Sequence, residues 1–230
     1  MTQEAKPQPE LAQTLDRGLQ VLEFLGASVN GFTATEVAQH VGIHRSIAAR
    51  LLATLAHRKF ATRMSDGRYV IGTGLFSLAR MVSRDLISIA TPMLRDATER
   101  VVATSVLHVA DGDEVVTVLS IEPPSANFRV GMRVGARGPL DLAAHGVAIL
   151  AGRPAQPGER ALVSQARERG YATTTGEVVP GYTGLSAPVY IGGEATASVG
   201  LVIPAARGDE VPELAAEVLK LAEALSLASG

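Results

Sequence analysis

Apolar residues recur at steps of three and four through the first sixty residues, then alternate in short runs separated by further helical stretches. The first helical pattern runs from Thr14 to Ala27. It places Leu15, Leu19, Leu22 and either Phe24 or Leu25 on one face, with Thr14 as the N-cap. A second, from Thr35 to His40 with its cap at Thr33 or Ala34, turns Val37, Ala38 and Val41 inward. Gly42 closes it, because the turn there needs positive φ. A third runs from about Arg45 to Lys59 and buries Ile47, Ala48, Leu51, Leu52 and Leu55. Two extended runs, residues 60–63 and 68–71, then flank Ser65-Asp66-Gly67, a hairpin signal. Helix, turn, helix and hairpin in that order, within Thr33 to Tyr69, predict a winged helix-turn-helix.

Residues 75–89 continue with Leu75, Leu78, Ala79, Val82, Leu86 and Ile89 at helical spacing. This stripe predicts a linker helix and dimer contact; the alternative is that it packs on its own domain. Further on, the pattern predicts a helix from Pro92 to Arg100 and strands Ser105 to Ala110 and Val115 to Ile121, around a turn at Asp111-Gly-Asp113. It then predicts a strand from Phe128 to Val134, a turn from Gly135 to Pro139, and helices from Asp141 to Ala151 and Glu159 to Arg169. An extended segment from Tyr171 to Val179 follows. Strands Leu185 to Tyr190 and Ala195 to Ile203 meet at Gly192-Gly193, and a helix from Val211 to Ala228 closes the chain. Irregular alternation with hairpins makes the fold class α+β with an antiparallel sheet. The domains expected are a mobile arm (1–12), a winged helix-turn-helix (13–73), the linker helix (74–90) and a C-terminal domain (91–230).

Charge sharpens the division. The 230 residues carry a net charge of only −2. Yet residues 14–84 hold nine basic and four acidic side chains, whereas residues 91–230 hold 11 basic and 16 acidic ones. A basic first domain beside an acidic second one is the asymmetry expected when only the first meets phosphate. There is no cysteine, so disulfides, thiolate nucleophiles and Cys-based zinc sites are excluded. The first ten residues lack the apolar core of a signal peptide, and no apolar run reaches a membrane span. The expected location is cytoplasmic, with no membrane partner.

The third helix carries the candidate chemistry. His44, Arg45, Ser46, Ala49 and Arg50 lie on the face opposite its apolar stripe, near its N-terminus. Arginine there can pair with guanine O6 and N7, serine can reach a base or phosphate, and alanine lets the helix approach closely. Arg63 and Arg68 sit near the hairpin tip, suited to phosphate or minor-groove contact. A solvated helix face and a charged, solubilising hairpin are the plainer readings. The helix-turn-helix spacing upstream favours double-stranded DNA.

The second domain offers little catalytic chemistry. His40, His44, His57, His108 and His145 share no metal-ligand spacing with one another or with Asp or Glu, and no Gly-x-Ser-x-Gly occurs. His145 lies within an apolar helix and reads as a core or pocket histidine. Asp141 reads as a helix cap or a ligand-facing group, and Asp111, Asp113 and Glu114 as a solvated turn. Gly72-Thr-Gly74 lacks the lysine and the third glycine of a phosphate loop. No enzyme, cofactor or metal is expected.

These residues resemble a known family. Gln13-Thr-Leu-Asp-Arg-Gly-Leu-Gln-Val-Leu22, the helix-turn-helix, and Asp66-Gly-Arg-Tyr-x-Ile-Gly72 are similar to the IclR family of bacterial transcriptional regulators. Asp111-Gly-Asp-Glu-Val-Val116, Val134-Gly-x-Arg-x-Pro-Leu140, Arg169-Gly-Tyr-Ala172 and Leu185-x-Ala-Pro-Val189 continue the resemblance in order. It implies a winged helix, a linker helix and a C-terminal effector-binding domain with a curved antiparallel sheet flanked by helices. It also implies dimers, often paired into tetramers, on a palindromic or repeated operator. Where the family usually has Pro-Lys-Ser-Thr at the recognition helix, this chain has His44-Arg45-Ser46-Ile47.

The effector positions implied are Thr174, Gly184, Gly200 and Val202, with Asp141 and His145 in the segment that replaces the family's Pro-Leu-His-x-Thr-Ala-x-Gly-Lys. These predict a pocket less polar and roomier than usual, taking an apolar or aromatic small molecule. The segment from Leu150 to Glu159 is short for the family, so a helix there is expected to be trimmed. Two rival functions are an enzyme with an appended winged helix and a winged-helix protein-interaction module.

Overall fold

The computed structural model describes residues 11–79, 84–124 and 130–229. Residues 1–10 of the expected arm, Val82 of the expected linker stripe and Phe128 of an expected strand lie outside them. Contacts divide the chain between Val82 and Ser83.

The N-terminal unit begins with α1 (Gln13–Leu25), α2 (Ala34–Val41) and α3 (Arg45–His57). Strands β1 (Ala61–Arg63) and β2 (Tyr69–Ile71) and a short α4 (Gly74–Ala79) follow. Helix α1 departs from its expected face. Leu15 and Leu19 are 65% and 51% exposed, while Val21 and Leu25 are buried. Gly18 faces Leu51 of α3, at a distance where an added Cβ would sit 3.8 Å from that side chain. Close approach at a glycine turns the 18, 21, 25 stripe inward in place of 15, 19, 22. The N-cap is Ala12, not Thr14, and makes no side-chain bond.

Helix α2 starts on a full capping box. The Glu36 amide donates to Thr33 Oγ1, and the Thr33 amide donates to the Glu36 carboxylate at 2.6 Å. Gly42 ends the helix at φ +70°, as the turn requires. In α3, Ala48 and Leu52 are fully buried, but Ile47 is 37% exposed and leaves the expected stripe. The hairpin turns at Gly67, whose φ is +86°. Its second strand is anchored by reciprocal main-chain bonds between Tyr69 and Phe32.

The C-terminal unit opens with α5 (Arg84–Val101), one helix that runs through Pro92. The two separate helices expected from the pattern are therefore merged over residues 84–101. Leu86, Ala90, Leu94 and Ala97 are buried in this unit's own core, with Ile89 packed against it. That half of the linker stripe is spent within the domain, not on a dimer contact. Strands β3 (Thr104–Asp111), β4 (Glu114–Ile121), β5 (Arg137–Pro139), β6 (Ala172–Thr175), β7 (Tyr182–Ile191) and β8 (Glu194–Pro204) form one antiparallel sheet in the order β5-β4-β3-β8-β7-β6. β5 replaces the expected turn at 135–139, because Arg137 pairs with Val116 and its guanidinium binds Asp111 and Glu114. The acidic turn is thus partly neutralised across the ladder. The expected strand to Val134 is absent over its described residues, 130–134.

Two helix layers cover the sheet. Helices α5 and α8 (Val211–Ala228) pack on the face carrying Leu107, Leu185, Val199 and Ile203. Helix α6 (Ala143–Ala151) covers the opposite face, and α7 (Ala161–Arg169) packs against α6 and β6. Residues 152–160 contain no helix, as the short segment there predicts. Gly170 ends α7 in the left-handed conformation at φ +81°.

Candidate nucleic-acid interface and ligand pocket

The surface of α3 is two-sided. Ala48 and Leu52 hold it to the core of the N-terminal unit, while His44, Arg45, Ser46, Ala49 and Arg50 are all exposed on its first turns. His44 is the N-cap but makes no side-chain bond to the helix. The first-turn amides are therefore free of a side-chain cap and carry the positive end of the helix dipole, a phosphate-binding arrangement. Ile47 adds an apolar patch beside these groups.

The two hairpin arginines differ. Arg63 is exposed, with its guanidinium carbon 5.8 Å from the centroid of the Tyr69 ring. Arg68 is committed elsewhere. Its Nη1 donates to the Gly31 carbonyl at 3.1 Å and to Glu36 Oε2 at 3.2 Å. The Thr33 main-chain bond, chiefly, and then Arg68 hold the Glu36 carboxyl below the usual carboxylate range. Arg68 thus ties the hairpin to the start of α2, while the Arg63 guanidinium is left exposed. The hairpin motif placed Arg68 near the tip; its partner 32 residues away is a tertiary matter.

In the C-terminal unit, a cavity of about 40 Å³ lies between the sheet and the first turn of α6. Val106, His108, Gly184, Ser186 and Val202 rise from the sheet, and Ala144 and His145 come down from α6. Gly184 admits α6 closely: a Cβ there would be 3.6 Å from that of Ala144. Of the expected effector residues, His145, Thr174, Gly184 and Val202 line this cavity, and Asp141 and Gly200 do not. Asp141 is exposed and contributes only its carbonyl, to Arg160. Gly200 is pressed against the β7 backbone, where a Cβ would lie 2.1 Å from the Leu185 oxygen. The cavity is small, not roomy. His145 lines it and stacks on His108, with ring centroids 4.3 Å apart.

The start of α6 is sealed by groups the sequence reading did not single out. Glu177 accepts the Ala143 amide at 2.8 Å and binds Arg160 at 3.0 Å, while Thr174 Oγ1 accepts the Ala144 amide at 3.0 Å. These take the capping role expected of Asp141. Ala143 itself has φ +58°, a left-handed conformation that costs an alanine about 1–2 kcal/mol. Glu177 sits in a loop with no periodic signal. His108 could have been flagged, since alternation on β3 sends it inward with Val106.

Both imidazoles are kept neutral. Burial pushes His108 well below its ordinary value, and the neighbouring His145 adds to this. Burial also lowers His145, to about 4, against a smaller opposing pull from Glu177. Among the described residues no Lys or Arg side chain lines the cavity. A wider hollow of about 640 Å³ lies near Arg153 and Glu159. Those groups are engaged there, Arg153 with the Ala195 carbonyl and Glu159 with Arg167. Among the described residues no cluster of His, Asp and Glu could hold a metal ion, and no helix is long and apolar enough to cross a membrane.

Known proteins share this arrangement. Residues 14–64 match the IclR helix-turn-helix domain, and residues 78–227 match the bacterial transcriptional regulator IclR C-terminal domain. The transcriptional repressor IclR of Escherichia coli is 27% identical over 95% of this chain and 90% of its own length. The regulator BhcR of Paracoccus denitrificans is 31% identical over 85% of this chain and 78% of its own. Among solved structures, an IclR regulator from Alicyclobacillus acidocaldarius superposes with a TM-score of 0.79 at 25% identity, covering 96% of this chain and 100% of that one. An IclR homolog from Microbacterium hydrocarbonoxydans, complexed with 4-hydroxybenzoate, gives 0.80 at 22% identity, covering 94% and 98%. With both halves matched in order and the helix-turn-helix and sheet domain in place, the chain belongs to the IclR family of bacterial transcriptional regulators, with a helix-turn-helix DNA-binding domain followed by the IclR C-terminal domain.

Proposed function

We propose that α3 reads the major groove of a palindromic or repeated operator through Arg45, Ser46 and Arg50, with His44 and Ala49 at the contact face and Arg63 on a flanking phosphate. The observation that carries this reading is the exposed N-terminal face of α3, without a side-chain cap, on a helix that Ala48 and Leu52 bury in the core from its other side. The basic surplus of residues 14–84 supports it, since phosphate contacts set a salt-dependent affinity. Arg68 serves by positioning the hairpin. Footprinting on the DNA upstream of the chain's own gene tests the proposal. Absence of a protected site, together with binding that ignores salt, would sink it.

The chain acts as a dimer or tetramer of itself. Leu15 and Leu19 on α1, and Phe76 and Leu78 on α4, are large apolar side chains left exposed in this unit, which favours a second copy covering them. Two copies place their recognition helices about 34 Å apart, or a multiple of that. Sedimentation would expose the error if the chain ran as a monomer at micromolar concentration. Repression is the mode that the Escherichia coli relative suggests.

The effector enters the cavity under α6. It is apolar or aromatic, because the described lining residues offer no cation for a carboxylate and the Ala143 and Ala144 amides are already taken. It controls DNA binding only to the extent that it favours one conformation of the regulator over another. Selective thermal stabilisation by small dicarboxylates would contradict this ligand class.

A further inference from the structure

One large apolar side chain on α3 is not spent on the core. Helical periodicity groups Ile47 with Ala48, Leu51 and Leu52, yet it is 37% exposed. It takes no part in the cluster that Ala48 and Leu52 form with Val21, Leu25 and Val37, and against which Leu51 and Leu55 pack. The exposure has a cost within the helix itself. A β-branched residue loses side-chain freedom there and is a poorer helix former than alanine. Alanine or a straight polar side chain would serve a merely solvated face better.

The position of Ile47 says what it is for. Helical side chains lean towards the N-terminus of their helix, so Ile47 covers the first turn, where His44, Arg45 and Ser46 are all exposed. Arg50, three residues on, is its neighbour on the helix surface. Ile47 therefore stands among the groups of the proposed base contact. Branching at Cβ leaves it essentially one rotamer in a helix, so its methyl groups point in a fixed direction before any partner arrives. The base edges of the major groove are donors and acceptors, with one apolar feature, the thymine C5-methyl group. An apolar side chain set against a phosphate would strip water from the anion and return no hydrogen bond. Set against the thymine methyl, it takes apolar surface out of water on both partners.

We propose that Ile47 is a specificity-determining residue of the operator contact, packing on the C5-methyl group of one thymine in each half-site. The inference rests on the reading of α3 as the major-groove helix. Ile47 favours thymine over cytosine at that base pair, because cytosine lacks the methyl and presents an amino group beside C5. Arg45, Ser46 and Arg50 supply the hydrogen bonds. Ile47 supplies a discrimination that hydrogen bonds cannot, since thymine and uracil share every donor and acceptor and differ only in the methyl.

Fluorescence-anisotropy titration of the full chain with its footprinted operator tests this, each thymine of one half-site, on either strand, being replaced in turn by deoxyuridine. The replacement removes the methyl group and leaves every hydrogen-bonding atom in place. At one position the affinity is expected to fall about fourfold, the worth of one buried methyl group. Ile47→Ala should weaken binding to the unmodified operator and make that position indifferent to the methyl, while its melting temperature stays that of the parent chain. Ile47→Val, which keeps the branch, should preserve most of the sensitivity. Affinity unchanged at every thymine overturns the proposal without any variant. So does a uracil effect of the same size in Ile47→Ala, which would set the methyl against another side chain. A protected site bound in a salt-dependent way, yet indifferent to all its thymine methyls, removes only the role of Ile47. No protected site and no salt dependence removes the operator reading, and this role with it.

Discussion

Acid should loosen the C-terminal unit well before its carboxylates are protonated. His145 titrates at about 4 in the fold and near 6.5 in the unfolded chain, because burial between α6 and the sheet disfavours its charged form. As pH falls through 6.5 the unfolded chain takes up a proton that the folded chain refuses. Stability is therefore fully present above 6.5 and is lost towards 4. The slope is about 1.4 kcal/mol per pH unit for one such group, so His145 alone removes about 2 kcal/mol between pH 7.5 and pH 5.0. His108, lowered by the same burial, acts in the same direction. The carboxylates cannot mimic this. Glu177 is shifted downward and Glu159 lies at about 2, so their contributions fade only below the ordinary carboxylate value. The assay is urea unfolding followed by tyrosine fluorescence, since Tyr171, Tyr182 and Tyr190 all belong to this unit. With a slope of about 1–3 kcal/mol per molar urea, the midpoint should drop by about 0.7–2 M. A midpoint that stays level from pH 7.5 to 5.0 would refute the buried, neutral histidine pair.

Three further outcomes are expected. Arg63→Ala should flatten the salt dependence of operator binding by about one phosphate contact, whereas Arg68→Ala should leave that slope alone and lower the melting temperature of the N-terminal unit; equal salt effects would contradict the ion pair with Glu36. Gly146→Ala should destabilise the C-terminal unit by about 1–3 kcal/mol in a urea titration, because its Cβ would sit 2.0 Å from the Leu140 carbonyl oxygen and force α6 outward. Gly42→Ala meets no steric obstacle but must hold φ +70°, so a loss of about 1 kcal/mol in thermal melts of the N-terminal unit is the expected result, and no loss would mean the turn can relax.

What local chemistry dictates was legible in the residues alone. The cap near Thr33, the left-handed turn at Gly42, the Asp66-Gly67 hairpin and the alternation of β3, β4, β7 and β8 each follow from a few neighbouring side chains and their backbone preferences. The exposed arginines of α3 follow from helical periodicity in the same way. Which of two apolar stripes on α1 faces inward did not. Leu15, Leu19 and Leu22 are as periodic as Gly18, Val21 and Leu25, and only the close approach of α3 at Gly18 chooses between them. The same holds for α5, where neighbouring core residues Leu86 to Ala97 carry the helix through Pro92.

The site shows the division most sharply. The residues alone determined a helix-turn-helix with basic side chains on an exposed helical face and an α+β domain behind it, because the first needs only helical periodicity and the second only the succession of motifs along the chain. Tertiary structure decided which groups are free to act. It paired Arg68 with Glu36, spent Glu177 on the start of α6, pressed Gly200 into the backbone and left His108 buried without a partner. Partners 30 or more residues apart are set by how the layers pack, and no local propensity encodes that.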